Sequence, residues 1–256
     1  MAITEFILVP GAWHFKETYN DLVESLSKGG YVAHSITLPS VGTKPPPKDF
    51  HPDVQTIREK VQSVIDDGKD VIIVCHSYGG IPTSEAMKHF VQSNGEGKGN
   101  GKVKRLVYMA SFPLLEGESV MSRRGFKDGE HWDVQGDYLN IRNAKFLFYS
   151  DMPSDIATKH AQEISHHSYG SFHSKLTYAP YKDIPTMYIL CEKDQSVNVN
   201  AQKALIEKVK ASAPEAMDIV ESLDIVESLD AGHSPFLSMP DAVAQCLVNA
   251  VEKSSV

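Results

Sequence analysis

Short β-rich runs alternate with longer segments of helical period along almost the whole chain, and this alternation constrains the fold more than any other feature. The strand-like runs are Glu5 to Val9, Val32 to Leu38, Val71 to His76, Val103 to Ser111 and Thr186 to Cys191, with a sixth near Ile219 to Leu229. They are dense in Val, Ile, Leu and Tyr, as strands covered on both faces must be. Between them, Lys16 to Lys28, Pro52 to Asp67, Ile81 to Gln92, Asn200 to Ala211 and Pro240 to Glu252 carry apolar residues at three- and four-residue spacing. Strands joined by crossover helices imply an α/β fold, a mainly parallel sheet of about six strands with helices on both faces. With 256 residues, of which 41% are hydrophobic and 23% charged, a sizeable core is expected.

Three segments interrupt the alternation. The longest, residues 112–182, places about seventy residues between two strands and mixes short helical patterns with Trp132, Tyr138, Phe146, Phe148, Tyr149, Phe172 and Tyr178. Insertions of this length serve as lids or binding elements, so the expected organisation is a core of residues 1–111 and 183–256 with an inserted helical lid over 112–182. Pro45, Pro46 and Pro47 make Lys44 to Lys48 a stiff surface loop. Asn94 to Lys102, NGEGKGNGK, reads as a polar surface connection without an assigned function. Residues 218–229 read DIVESL twice. Because the period of six is even, the duplication preserves strand alternation, and one copy is expected to be the last strand with the other its approach.

Composition removes several classes of function. A formal net charge of -8 offers a nucleic-acid backbone no long-range attraction. The longest apolar runs are about five residues, against roughly 20 for a bilayer span, so no membrane partner is expected. MAITEFILVPG has neither a basic leader nor a cleavage signal and reads as the first strand. Cys75, Cys191 and Cys246 are an odd, widely spaced set without a Cys-x-x-Cys pair, which argues against disulfides or zinc and for a reducing, cytoplasmic setting. Neither a phosphate-binding loop nor a metal-ligand cluster is visible, so no cofactor and no metal are expected. A homodimer is left open.

The chemistry centres on Val71 to Gly80, VIIVCHSYGG, where a buried strand runs directly into Ser77 and two glycines ahead of a helix. This matches the strand-turn-helix nucleophile elbow G-x-S-x-G, with Cys75 in place of the first glycine. A serine hydroxyl needs a base to take its proton, and DAGHSPFL supplies His233 in a turn after the last strand. Of the ten other histidines, His34, His51, His89, His160, His166, His167 and His173 are set aside by placement, and His76 is expected to point away from Ser77. The imidazole needs a carboxylate partner. Asp194, just after the fifth strand, is the first choice and Glu192 the second. Two backbone N–H groups must meet the oxygen that turns negative: Tyr78, next to the nucleophile, and Ala12 in the turn VPGAWH. Trp13 and His14 either line the pocket or pack and cap the start of the next helix. From the insertion, Trp132 and Phe148 are the candidate substrate contacts, and the pocket is expected to be mainly apolar.

VPGAWH, VCHSYGG, CEKDQSV and DAGHSPFLSMP, in that order, resemble α/β-hydrolases of the group containing plant methylesterases, hydroxynitrile lyases and small microbial esterases, pyrethroid hydrolases among them. The resemblance covers nearly the whole chain. It implies an α/β-hydrolase fold in a short, six-stranded form, because the first strand here corresponds to the family's third. It also implies a Ser77, Asp194 and His233 triad acting on a small-molecule ester through an acyl-enzyme. Cys75, the glycine-rich insertion and the duplicated DIVESL depart from the family pattern. Two rivals remain: a hydroxynitrile lyase, although such lyases carry a lysine directly after the histidine where Ser234 stands here, and a low-turnover ligand receptor. Dehalogenase and epoxide-hydrolase chemistry needs an Asp nucleophile at the elbow, which Ser77 excludes.

Overall fold

The computed structural model describes residues 3–92, 101–122, 131–212 and 226–252. Within them the strands are, in chain order, β1 (Thr4–Val9), β2 (Ala33–Ser35), β3 (Asp70–His76), β4 (Val103–Met109), β5 (Trp132–Gln135), β6 (Tyr138–Ile141), β7 (His167–Ser168), β8 (Thr186–Cys191) and β9 (Val226–Leu229). The helices are α1 (Asn20–Lys28), α2 (His51–Asp66), α3 (Gly80–Gln92), α4 (Ala144–Tyr149), α5 (Ser154–Glu163), α6 (Tyr169–His173), α7 (Val199–Ser212), α8 (Pro235–Ser238) and α9 (Pro240–Glu252).

Six strands form one parallel sheet in the order β2-β1-β3-β4-β8-β9. Successive side chains of a strand face opposite ways, and the core divides accordingly. Phe6, Leu8, Ile72 and Val74 pack with Leu22 and Leu26 of α1 and with Val243 and Leu247 of α9. Ile7, Val9, Ile73 and Cys75 pack on the other side with Ile57 and Val61 of α2, with Met87 of α3, and with Leu205 and Ile206 of α7. Five helical segments read from periodicity agree with helices to within a residue, except that Lys16–Tyr19 forms a 3-10 turn ahead of α1.

Two strands stop earlier than their composition suggests. Val32 and Ile36 still bond with Phe6 and Leu8 of β1, but Pro39 follows and only Ala33–Ser35 are regular. β4 ends at Met109 because Ala110 takes a left-handed φ of 45° while its N–H still reaches Ile189. The second DIVESL copy supplies β9; the first, like most of the glycine-rich segment, lies outside the described residues. Among the described residues no helix is long and apolar enough to cross a membrane.

Between β4 and β8 the insertion holds the short helices α4, α5 and α6, together with an element not foreseen from sequence, the antiparallel sheet β5-β6-β7. Its hairpin turns through Gly136 and Asp137, with Gln135 opposite Tyr138 and Gly136 at φ 63°. A glycine at the first position of a two-residue loop suits a primed turn, whose twist matches that of paired strands. β7 is two residues long, and Val41 of the core bridges to its His167, tying the insertion to the loop after β2.

The chain runs from β1 outward to β2 and then to β3 on the far side of β1, so the crossovers diverge between the carboxyl ends of β1 and β3. Ligands of open α/β sheets bind at such a point. Close approach there depends on glycine: a Cβ on Gly79 would lie 2.4 Å from the Pro10 carbonyl oxygen and 3.0 Å from that of Val9. Gly68, at the end of α2, has a φ of 75° but open space around it. We therefore expect Gly79→Ala to cost about 3 kcal/mol or more, because backbone must move. Gly68→Ala should cost about 1 kcal/mol, from the left-handed backbone alone. Urea unfolding of both variants tests this, and equal losses would show that the β1–elbow contact is not tight.

Candidate active site

Ser77 follows a strand whose seven residues are all buried and begins the 3-10 turn that leads into α3. Its φ of 48° lies in the left-handed region, which a non-glycine residue occupies only when its surroundings hold it there. Ser111 Oγ donates to the Ser77 carbonyl at 2.7 Å, and Gly79 and Gly80 leave room for the turn. The residue is 8% exposed.

His233 and Asp194 meet because β8 and β9 are parallel neighbours, with Cys191 opposite Leu229. Asp194 lies three residues beyond one and His233 four residues beyond the other. The loops are tied by Glu192 N–H to the Leu229 carbonyl and Lys193 N–H to that of Ala231. His233 Nδ1 stands 2.8 Å from Asp194 Oδ2, and His233 Nε2 stands 3.1 Å from Ser77 Oγ. Asp194 accepts from the Ser196 and Val197 N–H groups and from Gln202 Nε2. Since an ionised carboxylate only accepts, Nδ1 carries the proton and Nε2 is left to accept from Ser77. His233 and Asp194 are buried, at 1% and 3% exposure. Glu192 is exposed, bonded to Ser228 at the surface.

His76 makes no bond to Ser77; its Nε2 donates to the His233 carbonyl at 2.8 Å, and its ring lies 4.6 Å from that of His233. On the other side of the histidine loop, Asp151 of the insertion accepts the Gly232 N–H at 2.7 Å. A Cβ at Gly232 would come within 2.5 Å of that carboxylate.

Gly11 and Ala12 bring the turn after β1 against the elbow, and a Cβ on Gly11 would stand 3.0 Å from that of Ser77. Trp13, at φ 67°, donates its indole N–H to Leu139 of β6. Its ring packs on Phe148 and Phe172. Phe148 stacks on His233 at 5.4 Å, and Trp132 meets Phe172 edge-on. Trp13, Trp132 and Phe148 thus share one buried aromatic group that reaches His233 through Phe148, whereas Phe146, another aromatic of the insertion, is 56% exposed. His14 is buried, with both ring nitrogens bonded, to the Ala12 carbonyl and to Tyr149. Outside this wall a groove of about 660 Å³ opens, lined by His14, Tyr149, Ile156, His160, Ile164 and Leu237 among others.

The architecture and the arrangement of Ser77, His233 and Asp194 define a class. The chain belongs to the alpha/beta hydrolase family, whose model matches residues 6–246. It is 33% identical to a probable hydrolase, R7, of Phoma sp., over 94% of this chain and 95% of the relative. To the alpha/beta hydrolase nvfD of Aspergillus novofumigatus it is 30% identical, over 95% of each. The solved pyrethroid hydrolase PytH superposes with a TM-score of 0.75 at 19% identity, covering 100% of both chains. The methylesterase protein MES16 from Arabidopsis does so with a TM-score of 0.73 at 22% identity, over 98% of this chain and 99% of the other. These two structural likenesses are likenesses of fold.

One part of the site was not read from sequence. Tyr78, the residue after Ser77, donates its hydroxyl to Asp53 Oδ2 at 2.7 Å, and Asp53 Oδ1 accepts the Ser40 N–H at 2.8 Å. The Tyr78 ring stacks on Phe172 and meets His167 edge-on, so one side chain joins elbow, α2 and insertion. Asp53 opens α2 in an ordinary position for an acidic residue, and nothing local in the sequence marks it as buried. Burial raises its pKa from 3.8 to about 6, with the bonds from Tyr78 and Ser40 offsetting part of the effect. The folded state therefore binds this proton more tightly than the unfolded state. The stabilisation is complete below pH 3.8 and is lost as pH rises to 6, by on the order of 3 kcal/mol. Asp53→Asn lacks this titration, so the stability of wild type minus that of the variant should fall by about that amount between pH 4 and pH 7. Urea unfolding at both pH values checks it; a difference that stays level or rises with pH contradicts it.

Proposed function

We propose that this chain is a serine carboxylic ester hydrolase acting on a small, apolar or aromatic ester through an acyl-enzyme. The observation that carries the reading is the unbroken contact chain from Ser77 Oγ through His233 to Asp194. It is supported by relatives described as a hydrolase, a methylesterase and a pyrethroid hydrolase. Ser77 Oγ attacks the ester carbonyl carbon while His233 Nε2 takes the hydroxyl proton, and Asp194 holds the imidazole in the required tautomer and balances its charge. The N–H groups of Ala12 and Tyr78 receive the oxyanion. The alcohol leaves with the proton from His233, and water repeats the sequence to release the acid.

Residues 112–182 act as a lid in this reading, with Trp132 and Phe148 contacting the substrate alongside Trp13. The buried thiols of Cys75, Cys191 and Cys246 support a reducing, cytoplasmic location. No cofactor takes part in the steps above. Ser234, buried beside His233, offers no positive charge to a leaving cyanide, which separates this reading from a hydroxynitrile lyase.

Ser77→Ala should remove hydrolysis of p-nitrophenyl esters by roughly 10⁴-fold or more with the fold intact. An aryl fluorophosphonate should label Ser77 alone. Substantial turnover in the pure variant would reject the nucleophile. Asp194→Asn should lower kcat far more than Glu192→Gln, and the reverse ranking would move the acid to Glu192. The protein should release no cyanide from mandelonitrile above the buffer rate; release that Ser77→Ala abolishes would make it a lyase.

A further inference from the structure

The turn that carries Ala12 is strained and is fastened from outside. Trp13 sits at φ 67°, a conformation that L side chains rarely adopt. Flipping the peptide between Ala12 and Trp13 would change ψ of Ala12 and φ of Trp13 together and return Trp13 to an ordinary region. It would also swing the Ala12 carbonyl away, and because the Ala12 N–H lies on the preceding peptide plane, the disturbance reaches that donor through the Ala12 Cα that the two planes share. That carbonyl is held by His14 Nδ1 at 2.7 Å.

The direction of the bonds follows from chemistry. A carbonyl oxygen only accepts, so Nδ1 carries the ring proton of His14, Nε2 accepts, and Tyr149 donates its hydroxyl to Nε2 at 2.7 Å. Burial lowers the His14 pKa to about 4, which keeps the ring in the neutral form this chain of bonds requires. Tyr149 belongs to α4 of the insertion, and two further bonds from the insertion reach the same turn: Ser165 N–H to the Trp13 carbonyl, and the Trp13 indole to Leu139. With both nitrogens of His14 occupied inside the protein, the ring has no polar atom left for a substrate.

We propose that His14 and Tyr149 are positioning residues that set the oxyanion donor: the Tyr149–His14–Ala12 chain holds the strained turn so that the Ala12 N–H faces the oxygen developing on the substrate at Ser77. The proposal rests on the acyl-transfer reading above and extends it to residues that touch no substrate. The insertion then does more than cover the site, because removing the Tyr149 hydroxyl loosens a donor that the core itself carries.

The test uses the full chain and compares Tyr149→Phe, His14→Leu and His14→Asn on an aryl ester. Asn keeps a donor near the position of Nδ1 and Leu does not. Each variant is also titrated with an aryl trifluoromethyl ketone, which forms an oxyanion on Ser77, and with the corresponding alcohol, which only fills the pocket. Tyr149→Phe and His14→Leu should lower kcat by roughly 10- to 100-fold with KM nearly unchanged, His14→Asn should recover much of the loss, and the ketone should weaken in parallel while the alcohol does not. Unchanged kcat and ketone affinity in Tyr149→Phe would overturn the proposal, as would equal weakening of ketone and alcohol, which marks a pocket defect. Tyr149→Phe removes a single oxygen atom and decides the matter if His14→Leu fails to fold. The rate of Ser77 labelling by an aryl fluorophosphonate should follow the same ranking, and it needs no ester turnover. A wild type that labels but hydrolyses no ester therefore rejects the esterase reading, and a wild type that hydrolyses while the variants match it rejects only the positioning role.

Discussion

The site depends on one close approach, that of the turn after β1 to the elbow after β3. Gly11 and Gly79 let two stretches of backbone come together: a Cβ on Gly79 would run into the Pro10 and Val9 carbonyl oxygens, and one on Gly11 into the buried His76 ring and the Ser77 Cβ. Everything the chemistry needs is referred to this junction. Ser77, the proposed nucleophile, stands on one side of it and the Ala12 N–H on the other, so their separation is set by main chain, which is stiffer than any side-chain contact. Two residues at the junction, Trp13 and Ser77, sit in left-handed conformations. Such strain persists only where the surroundings over-determine it. Here they do so through the Ser111 hydroxyl on the Ser77 carbonyl and through the bonds that suspend Trp13 from the insertion.

The features legible in the sequence are those governed by local period or by strand order. The sheet and its five long helices follow from apolar spacing. Ser77, Asp194 and His233 follow from their places just after strands, because parallel strands deliver their carboxyl-end loops to one edge. β8 and β9 are neighbours, so residues a few positions beyond each were bound to adjoin. The departure at Cys75 proves harmless to the turn. Its thiol points into the core and donates to the Val107 carbonyl, away from the reacting face.

What was not legible is set by packing across long sequence separations. Asp53 and Asp151 are polar residues in polar surroundings along the chain and Tyr149 closes the apolar run that begins at Phe146, and only the tertiary fold turns them toward Tyr78, Gly232 and His14. The small sheet of the insertion carried a local sign, the glycine-aspartate pair between Trp132–Gln135 and Tyr138–Ile141, that the helical reading of the segment passed over. The aromatic excess of the insertion was visible as composition, but not its partition. Phe148 and Phe172 turn inward and Phe146 outward, because α4 and α6 each present a single face to the core.

The site also surrounds the His233 imidazole with others that burial keeps uncharged. His76 lies 4.6 Å from His233 between ring centroids, and His14 lies 6.4 Å from His76. Burial lowers the pKa of both, with repulsion from His233 acting in the same direction. Burial likewise takes His167, against Tyr78, to about 3. Repulsion is mutual: in the proposed mechanism a second cation at His76 would oppose the charge that His233 takes up with the proton of Ser77, whereas a neutral His76 donates to the His233 carbonyl and holds the loop without that penalty. The same desolvation that makes these rings poor bases makes them good struts. The chain can therefore place three further histidines around the candidate site and, in the proposed mechanism, still confine the developing positive charge to the one ring that faces Asp194.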